Sequence, residues 1–562
     1  MKFNIICEQN TSINVLDTEV LNFIFRKFPK KHELQIVNVN NFKTNEVSVN
    51  IFLSCVNLSL FNYAKKNIMI FDHQSFNKKN MSFLKLFDKV FVKSKYTLEL
   101  LNNYVDKNKL EYINWRSPDI QIPTIKKNYD DYLIYYNNIH IPLQEVLDNW
   151  TKDMPNLNVI LGVNNKDLKL VQQDNITYHG NKLDTETFHI LFNRCGFHLC
   201  LNQCESFSHD INQTQLVKSI PIVLNSPPAK EQVNNETGYF IQCKKKKNKD
   251  ILGSRFNIDI QDFKDKILKF IKISEVELNL VSKNSRISSL KSNQICYENI
   301  KKIFDSFLDE VKKTKYISYD KIEIKHSSLP HISLITLTHN RKHIFPLAIL
   351  NYNASKYPKD KIEWIICDDG TEDNKVRSLL PDDEAMQKMN IKYISLEERI
   401  SIGEKRNLCI SKATHDIIVM MDDDDYYPPE SIEMRVKNLI KSDKQCVCCT
   451  TLGCFDINKF VSLISASSNS YTYSENVSEA TLCFYKSYWE NNKFQDCSTH
   501  ECNTFINENY DVIKEIPFEK VINSLIHKNN SSSRFQVTNQ QPNGCHFGWN
   551  EKLFKFITSL DK

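Results

Sequence analysis

Residues Met420 to Pro429 read Met-Met-Asp-Asp-Asp-Asp-Tyr-Tyr-Pro-Pro, the densest run of reactive groups in the chain. The stretch Asp416-Ile417-Ile418-Val419-Met420-Met421 that leads into it is apolar and β-branched enough for a buried strand. Carboxylates crowded at the end of such a strand repel one another unless a cation sits among them. A divalent metal supplies that cation, because hard cations take oxygen ligands. The place also fits, since open α/β sheets bind ligands at the carboxyl ends of their strands. The same run also reads as a solvated acidic turn capping a helix that starts near Pro428. Taken alone, it does not choose between the two.

The elements around it place more chemistry at strand ends. The block opens on a strand, His331 to Thr338. A second strand, Ile362 to Cys367, ends in Asp368-Asp369-Gly370-Thr371. A third, Lys392 to Leu396, leads to Gly403-Glu404-Lys405-Arg406-Asn407 on a helix. Two carboxylate sites after two strands, with a basic helix start, suggest a site for a metal and a diphosphate. Asp368 also reads as a strand-end cap, and Thr336 and Asn340 as turn formers.

Two further α/β blocks are expected upstream. In the first, strand-like runs (Lys2 to Cys7, Leu34 to Val39, Val47 to Leu53, Asn67 to Phe71, Lys89 to Val92) alternate with helical stretches Val20 to Phe28 and Tyr96 to Tyr104. The second runs from Tyr132 to Tyr136 through Leu157 to Leu161, Ile176 to His179, Phe197 to Leu201 and Pro221 to Leu224, and finishes on a helix, Tyr297 to Lys312. The polar stretch Thr314 to Pro330 lacks periodicity and reads as a linker. The pattern predicts an α/β chain with Rossmann-like lobes at 1–125 and 126–313, a linker at 314–329 and a third domain at 330–562.

At 562 residues the chain is too long for one core. Its 41% hydrophobic and 25% charged residues are ordinary for a globular protein. A formal net charge of +5 gives no support to nucleic-acid binding. No apolar run approaches a transmembrane span. The N-terminus reads as a first strand and not as a secretory leader. The 17 Cys are therefore expected to be reduced thiols in a cytoplasmic protein. Cys446, Cys448, Cys449 and Cys454 include one C-x-x-C spacing without a second pair, which reads as buried packing and not as zinc. Lys244 to Lys247 read as a solvated loop or, alternatively, an anionic membrane contact. Scarce Gly, at 10, with frequent Asn, Lys and Ile looks like AT-rich coding, as in giant DNA viruses or some protists and low-GC bacteria. A viral origin would place the protein in the host cytoplasm or the virion.

The third block resembles the family 2 glycosyltransferases of the GT-A fold. The matching segments are Thr336-Leu337-Thr338-His339-Asn340-Arg341, Trp364-Ile365-Ile366-Cys367-Asp368-Asp369-Gly370-Thr371, the trio Gly403, Arg406 and Asn407, and Met421-Asp422-Asp423-Asp424-Asp425. They cover about Pro330 to Tyr427, with a looser match to about Arg534. The resemblance implies a metal-dependent, inverting hexosyltransferase of class EC 2.4, moving a sugar from a nucleotide-diphospho-sugar, a UDP-sugar above all, to a glycan or glycoprotein acceptor. It implies that Thr338 and His339 line the base pocket, with Arg341 also in the nucleotide-sugar site. Asp369 holds uracil or ribose, and Arg406 faces the base or diphosphate. Asp422 and Asp423 bind ribose or metal, and Asp424 is the direct Mn²⁺ or Mg²⁺ ligand, with Asp423/Asp425 as the alternative register. An inverting transferase needs a carboxylate to take the acceptor proton. The segment Phe494 to Ile506 resembles the region that carries it. There Glu501 is the best fit, Cys502 replaces the second acid, and Asp496 is the reserve. Late in the chain, His527 is a metal candidate in a polar loop that also holds Arg534.

The first two blocks resemble, more faintly, the family 4 glycosyltransferases of the GT-B fold. Cys204-Glu205-Ser206-Phe207-Ser208-His209-Asp210 and Ser226-Pro227-Pro228-Ala229-Lys230-Glu231 carry the likeness, which implies Glu205, His209 and Glu231 as a possible second site. Two glycines of that pattern are Ser206 and Ser208 here, its second Glu is Gln213, and no Lys or Arg follows the strand Tyr132 to Tyr136. Cations stabilise a leaving diphosphate in metal-free enzymes, so this half is expected to be a degenerate or acceptor-binding module, or else a second transferase. A glycan-binding protein with both sites lost and a metal-dependent nucleotidyltransferase are the readings from other classes. The acidic cluster and Arg406 speak against the first. The lack of a Gly- and Arg-rich triphosphate loop near the first strand speaks against the second.

Overall fold

The computed structural model describes residues 1–8, 12–28, 32–41, 44–163, 167–180, 183–249, 251–313, 318–465, 471–507, 509–528, 530 and 547–560. The chain folds into two compact units, one drawn from residues up to Thr314 and one holding Lys315–Lys562. The loop position Arg534 lies outside the described residues.

The N-terminal unit holds two six-stranded, wholly parallel sheets. In the first the spatial order is Glu33–Asn38, Lys2–Cys7, Val47–Leu53, Ala64–Phe71, Lys89–Val92 and Leu110–Tyr112. In the second it is Tyr239–Ile241, Ile220–Leu224, Cys195–Cys200, Asn128–Tyr136, Asn156–Leu161 and Ile176–His179. Central strands such as Ile220–Leu224 are buried at every residue, as expected of parallel strands covered on both faces. The closing helix runs over Glu275–Lys313, far longer than the expected Tyr297 to Lys312. Its earlier turns bury Ser282, Ser285, Ser289 and Asn293, polar residues that carry no apolar signal in the sequence. The lysine run also differs from its expected loop. It forms the strand Cys243–Lys247, antiparallel to Ser254–Ile258, because a hairpin satisfies the backbone while the lysine side chains stay in water.

The C-terminal unit is built on a seven-stranded sheet, in the order Ile391–Ser395, Ile362–Asp368, Ile332–Thr338, Ile417–Met420, Cys483–Tyr485, Cys446–Cys448 and Ile513–Glu515. The first four strands are parallel, and Cys483–Tyr485 runs antiparallel to its neighbours. A smaller sheet joins Val461–Ser465, Leu452–Asp456 and Asn523–Ile526. The expected linker is partly structured: Tyr319 and Ile324 pack against this unit's core. Cys446, Cys448, Cys449 and Cys454 are all buried. Among the described residues no helix is long and apolar enough to cross a membrane.

Candidate active site

The parallel strands deliver their carboxyl ends to one edge, and the sequence-expected acids stand there. Asp422 to Asp425 follow the strand Ile417–Met420 directly. The backbone of this run is stitched to a distant strand: Tyr426 and Asn523 exchange both main-chain hydrogen bonds, at 3.0 and 2.8 Å. Asp425 completes the stitch, accepting from Ser524 Oγ at 3.0 Å and from the Leu525 amide at 2.9 Å. Its carboxylate is thereby used up in the fold. The strand Asn523–Ile526 then hands His527 to the cluster, with Nε2 3.1 Å from Asp424 Oδ2. Two residues separated by 103 positions meet for this reason.

The cation among the acids is a side chain. Arg341 Nη1 lies 2.8 Å from Asp423 Oδ1 and 3.0 Å from Asp424 Oδ2. Burial pulls its guanidinium down, but Asp424 and Asp423 outweigh that and hold it above its usual range. Burial pushes the Asp423 carboxyl up to about 6, with Arg341 opposing. Thr338, beside Asp423, also opposes the rise through its hydroxyl. Thr338 is almost fully buried, so it forms the floor of the site and presents little surface.

A divalent ion fits this arrangement in part. No group of three or more His, Cys, Asp and Glu placed to hold a metal occurs among the described residues. The protein does offer a carboxylate and an imidazole side by side in Asp424 and His527. Mn²⁺ and Mg²⁺ accept such a set and complete it with water and phosphate oxygens.

A second group of charges surrounds Asp369. It receives Lys405 Nζ at 2.6 Å and His339 Nδ1 at 2.9 Å on one oxygen, and the Ile400 amide at 3.1 Å on the other. Asp368, one residue earlier, is structural. It accepts from the amides of Gly370 and Val376 and from the Tyr393 hydroxyl, at 2.8–2.9 Å. Asn340 sits in the left-handed region at φ 53° and accepts from the Thr371 amide at 2.8 Å, tying the first and second strand ends together.

Arg406 links the acidic run to the expected base. Its Nε is 3.2 Å from Glu501 Oε1, and its Nη1 is 3.5 Å from Asp422 Oδ1. Arg406 and Glu501 are buried, while the Asp422 side chain keeps 24% of its surface. Glu479, on the short turn Glu479–Thr481, shares this environment. Burial and the Glu501 carboxylate raise it to about 8, against the pull of Arg406. Glu479 and Lys405 both escape the sequence reading. Lys405 sits inside a quoted motif, one helical step from Arg406, but nothing marks which of its basic residues turns inward. Glu479 belongs to no motif at all.

The reserve acid Asp496 is exposed and accepts from Ser401 Oγ at 2.6 Å, next to the start of the helix Ile402–Lys412. That helix start packs on the segment before Glu501: the Gly403 amide donates to Cys497 O at 3.0 Å, and the Gln495 amide to Glu501 O at 3.1 Å. A Cβ on Gly403 would lie 1.8 Å from Gln495 O, a backbone atom. Gly403→Ala should therefore push away the segment that positions Glu501. We expect a stability loss of about 1–3 kcal/mol together with a fall in turnover larger than that loss explains, read by thermal unfolding and single-turnover rates. Unchanged turnover would mean that this packing does not position Glu501.

The N-terminal acids are differently engaged. His209 Nε2 and Trp115 Nε1 contact Asp17 Oδ1 at 3.0 and 2.7 Å, and His209 Nδ1 meets Ser117 Oγ at 2.8 Å. Glu231 accepts from the Lys95 and Tyr96 amides, both at 2.7 Å, and so caps the helix Lys95–Leu101. Glu205 is buried, and burial with Asp210 nearby raises it to about 8.

Residues 333–501 match the family model described as Glycosyl transferase family 2. No curated protein sequence matches the chain. Among solved structures, a mannosyltransferase from Pyrobaculum calidifontis in complex with GDP-Man and Mn²⁺ is 18% identical, with a TM-score of 0.30. That match covers 37% of this chain, which spans 60% of the other's length. A glycosyltransferase from Rickettsia africae is 15% identical over 55% of this chain and 98% of its own, with a TM-score of 0.40. Anabaena HepE in complex with UDP and glucose is 10% identical over 54% of this chain and 100% of its own, with a TM-score of 0.41. The matched residues hold Asp369, Arg406, Asp422 to Asp425 and Glu501, and His527 lies beyond them.

Proposed function

We propose that the C-terminal unit transfers a sugar from a nucleotide-diphospho-sugar, UDP-linked, to an acceptor hydroxyl with inversion at the anomeric carbon. The observation that carries this reading is the convergence of Asp369, Arg406, Asp422 to Asp424 and Glu501 at one sheet edge within the matched region. Asp369, held in place by Lys405 and His339, takes the uridine end of the donor, and Arg406 faces the diphosphate. Asp424 and His527 would hold Mn²⁺ or Mg²⁺, which when bound neutralises charge on the departing diphosphate.

Glu501 accepts the proton of the acceptor hydroxyl as its oxygen attacks the anomeric carbon. The bond from that carbon to the phosphate oxygen breaks, and its electron pair leaves with the nucleoside diphosphate. Glu479 lies close enough to Glu501 for that carboxylate to raise its own proton affinity. The unit before Thr314 is a degenerate module in this proposal. The pairing of Lys93 within the fold, 2.5 Å from Asp17 and 3.6 Å from Asp72, supports this reading.

Glu501→Gln should lower transfer by about 10²–10⁴-fold while UDP binding is kept, measured by a donor screen with Mn²⁺ and by calorimetric titration of UDP. Transfer at the parent rate would remove Glu501 from the role. Glu479 carries a separate, signed expectation. Its folded-state proton affinity lies above the ordinary glutamate value of 4.5, reaching about 8, so the folded state holds the extra proton across that window. Stability then declines as pH rises from about 4.5 to about 8. Glu479→Gln should abolish this decline, and its melting temperature relative to the parent should rise steadily from pH 5 to pH 8. A pH-independent difference would show that Glu479 is already ionised at pH 5.

A further inference from the structure

The N-terminal unit contains a cleft of about 880 Å³ that none of the proposed chemistry uses. This volume lies in the range of small-molecule sites. The lining names its ligand class. Among the described residues that face it there is no Lys and no Arg, while Glu8 and Glu19 are present. The polar lining mixes the amides Asn14, Asn137, Asn138 and Gln213 with hydroxyls and with the imidazoles of His140 and His189. An adjoining pocket shares Asn137 and Asn138 and adds Glu205 and Asp210. Asn137 Nδ2 binds both oxygens of Asp210, at 3.0 and 3.1 Å. Asp210 stands in the first turn of the helix His209–Leu216, so a carboxylate already occupies the neighbourhood where a phosphate would be drawn. The nearest buried cation, Lys93, is held by Asp17 and Asp72. A diphosphate entering here would meet acids, amides, hydroxyls and two imidazoles, and no described guanidinium or ammonium group.

The opposite wall is aromatic and open. Tyr135 and Phe188 pack edge to face with ring centroids 5.2 Å apart. Gly162 gives Tyr135 its place, since a Cβ there would lie 2.7 Å from the ring. Gly180 meets nothing within 4 Å where a Cβ would stand. Amide donors and acceptors opposite an aromatic face suit a neutral polyhydroxy ring, which offers hydroxyls on its edge and C–H groups on its face. Burial also raises Glu205 to about 8 and Asp210 to about 6. Held so, Glu205 can keep a proton and donate to a hydroxyl.

We infer that this cleft is a binding site for a neutral oligosaccharide, distinct from the nucleotide-sugar site of the C-terminal unit. The test uses the full chain, a panel of neutral trisaccharides (maltotriose, mannotriose, chitotriose), and UDP with Mn²⁺ as the nucleotide probe, read by saturation-transfer NMR and calorimetric titration. Gly180→Leu adds an apolar side chain to the cleft's lining, at a position where a Cβ meets nothing within 4 Å. It should weaken binding of the preferred trisaccharide by ~10-fold or more and leave UDP affinity unchanged. Asp424→Ala should do the reverse. The inference is overturned if no trisaccharide of the panel binds at millimolar concentration, if trisaccharide binding ignores Gly180→Leu, or if UDP affinity is lost in Gly180→Leu and kept in Asp424→Ala. UDP affinity that ignores both variants, with trisaccharide binding still lost in Gly180→Leu, would sink the C-terminal reading alone and support the cleft.

Discussion

Asp424→Ala should abolish metal-dependent sugar transfer, with turnover falling by about 10²–10³-fold or more and no recovery at higher Mn²⁺. The expectation rests on how the four acids divide their work. Asp425 is consumed by Ser524 and Leu525. Asp422 is the most open and leans on Arg406. Asp423 is fully buried against Arg341. Asp424 touches both Arg341 and His527, so it presents an oxygen beside an imidazole nitrogen. Removing it leaves Asp423 paired with Arg341, so the fold should survive and the melting temperature should change little. Manganese binding followed by electron paramagnetic resonance gives the readout apart from activity: the tightly bound fraction should vanish. Full metal-dependent turnover in this variant would overturn the ligand assignment and return the choice to Asp423 or Asp422.

The contrast between Asp424 and its neighbours shows how far this site was legible in the sequence. Strand ends and motif order placed Asp369, Arg406 and the acidic run together, because parallel strands must deliver their ends to one edge, while Glu501 was reached only through the family resemblance. Register within a run of identical residues is another matter. It depends on which carboxylate meets the strand Asn523–Ile526, about a hundred positions later, and no local pattern encodes that pairing. Glu479 was invisible for a related reason. It lies on a short turn brought in by the antiparallel strand Cys483–Tyr485, and its proton affinity comes from Glu501 and from burial. The long helix Glu275–Lys313 was underestimated because serines and asparagines line its buried face. The lysine strand was missed because main-chain pairing and not side-chain burial makes it a strand.

In the N-terminal unit, Asp17→Asn should cost roughly 3–5 kcal/mol, the range for breaking a buried charge pair by removing one partner. Asp17 is buried and collects Lys93 Nζ at 2.5 Å, Trp115 Nε1 at 2.7 Å and His209 Nε2 at 3.0 Å. Burial works against its charge, yet Lys93 and His209 prevail and hold the carboxyl down at about 2. With the folded value below the ordinary 3.8, the folded state releases its proton more readily than the unfolded one. The stabilisation is therefore complete above about pH 4 and is lost as pH falls toward 2. Asp17→Asn should lower the melting temperature strongly at pH 7, and the gap from the parent should narrow below pH 4. Calorimetric melts across pH 2.5–7 would show both effects. Asp72 stays within 3.6 Å of Lys93, which favours the lower end of the range. The double variant Asp17→Asn/Lys93→Met should lose less than the sum of the single losses, because it removes the charge that the first change strands. Strict additivity would mean that Lys93 finds its compensation elsewhere and is free to meet an anion. A sub-additive result would fix Lys93 as a structural cation, so that this unit's own chemistry turns from phosphate toward uncharged ligands.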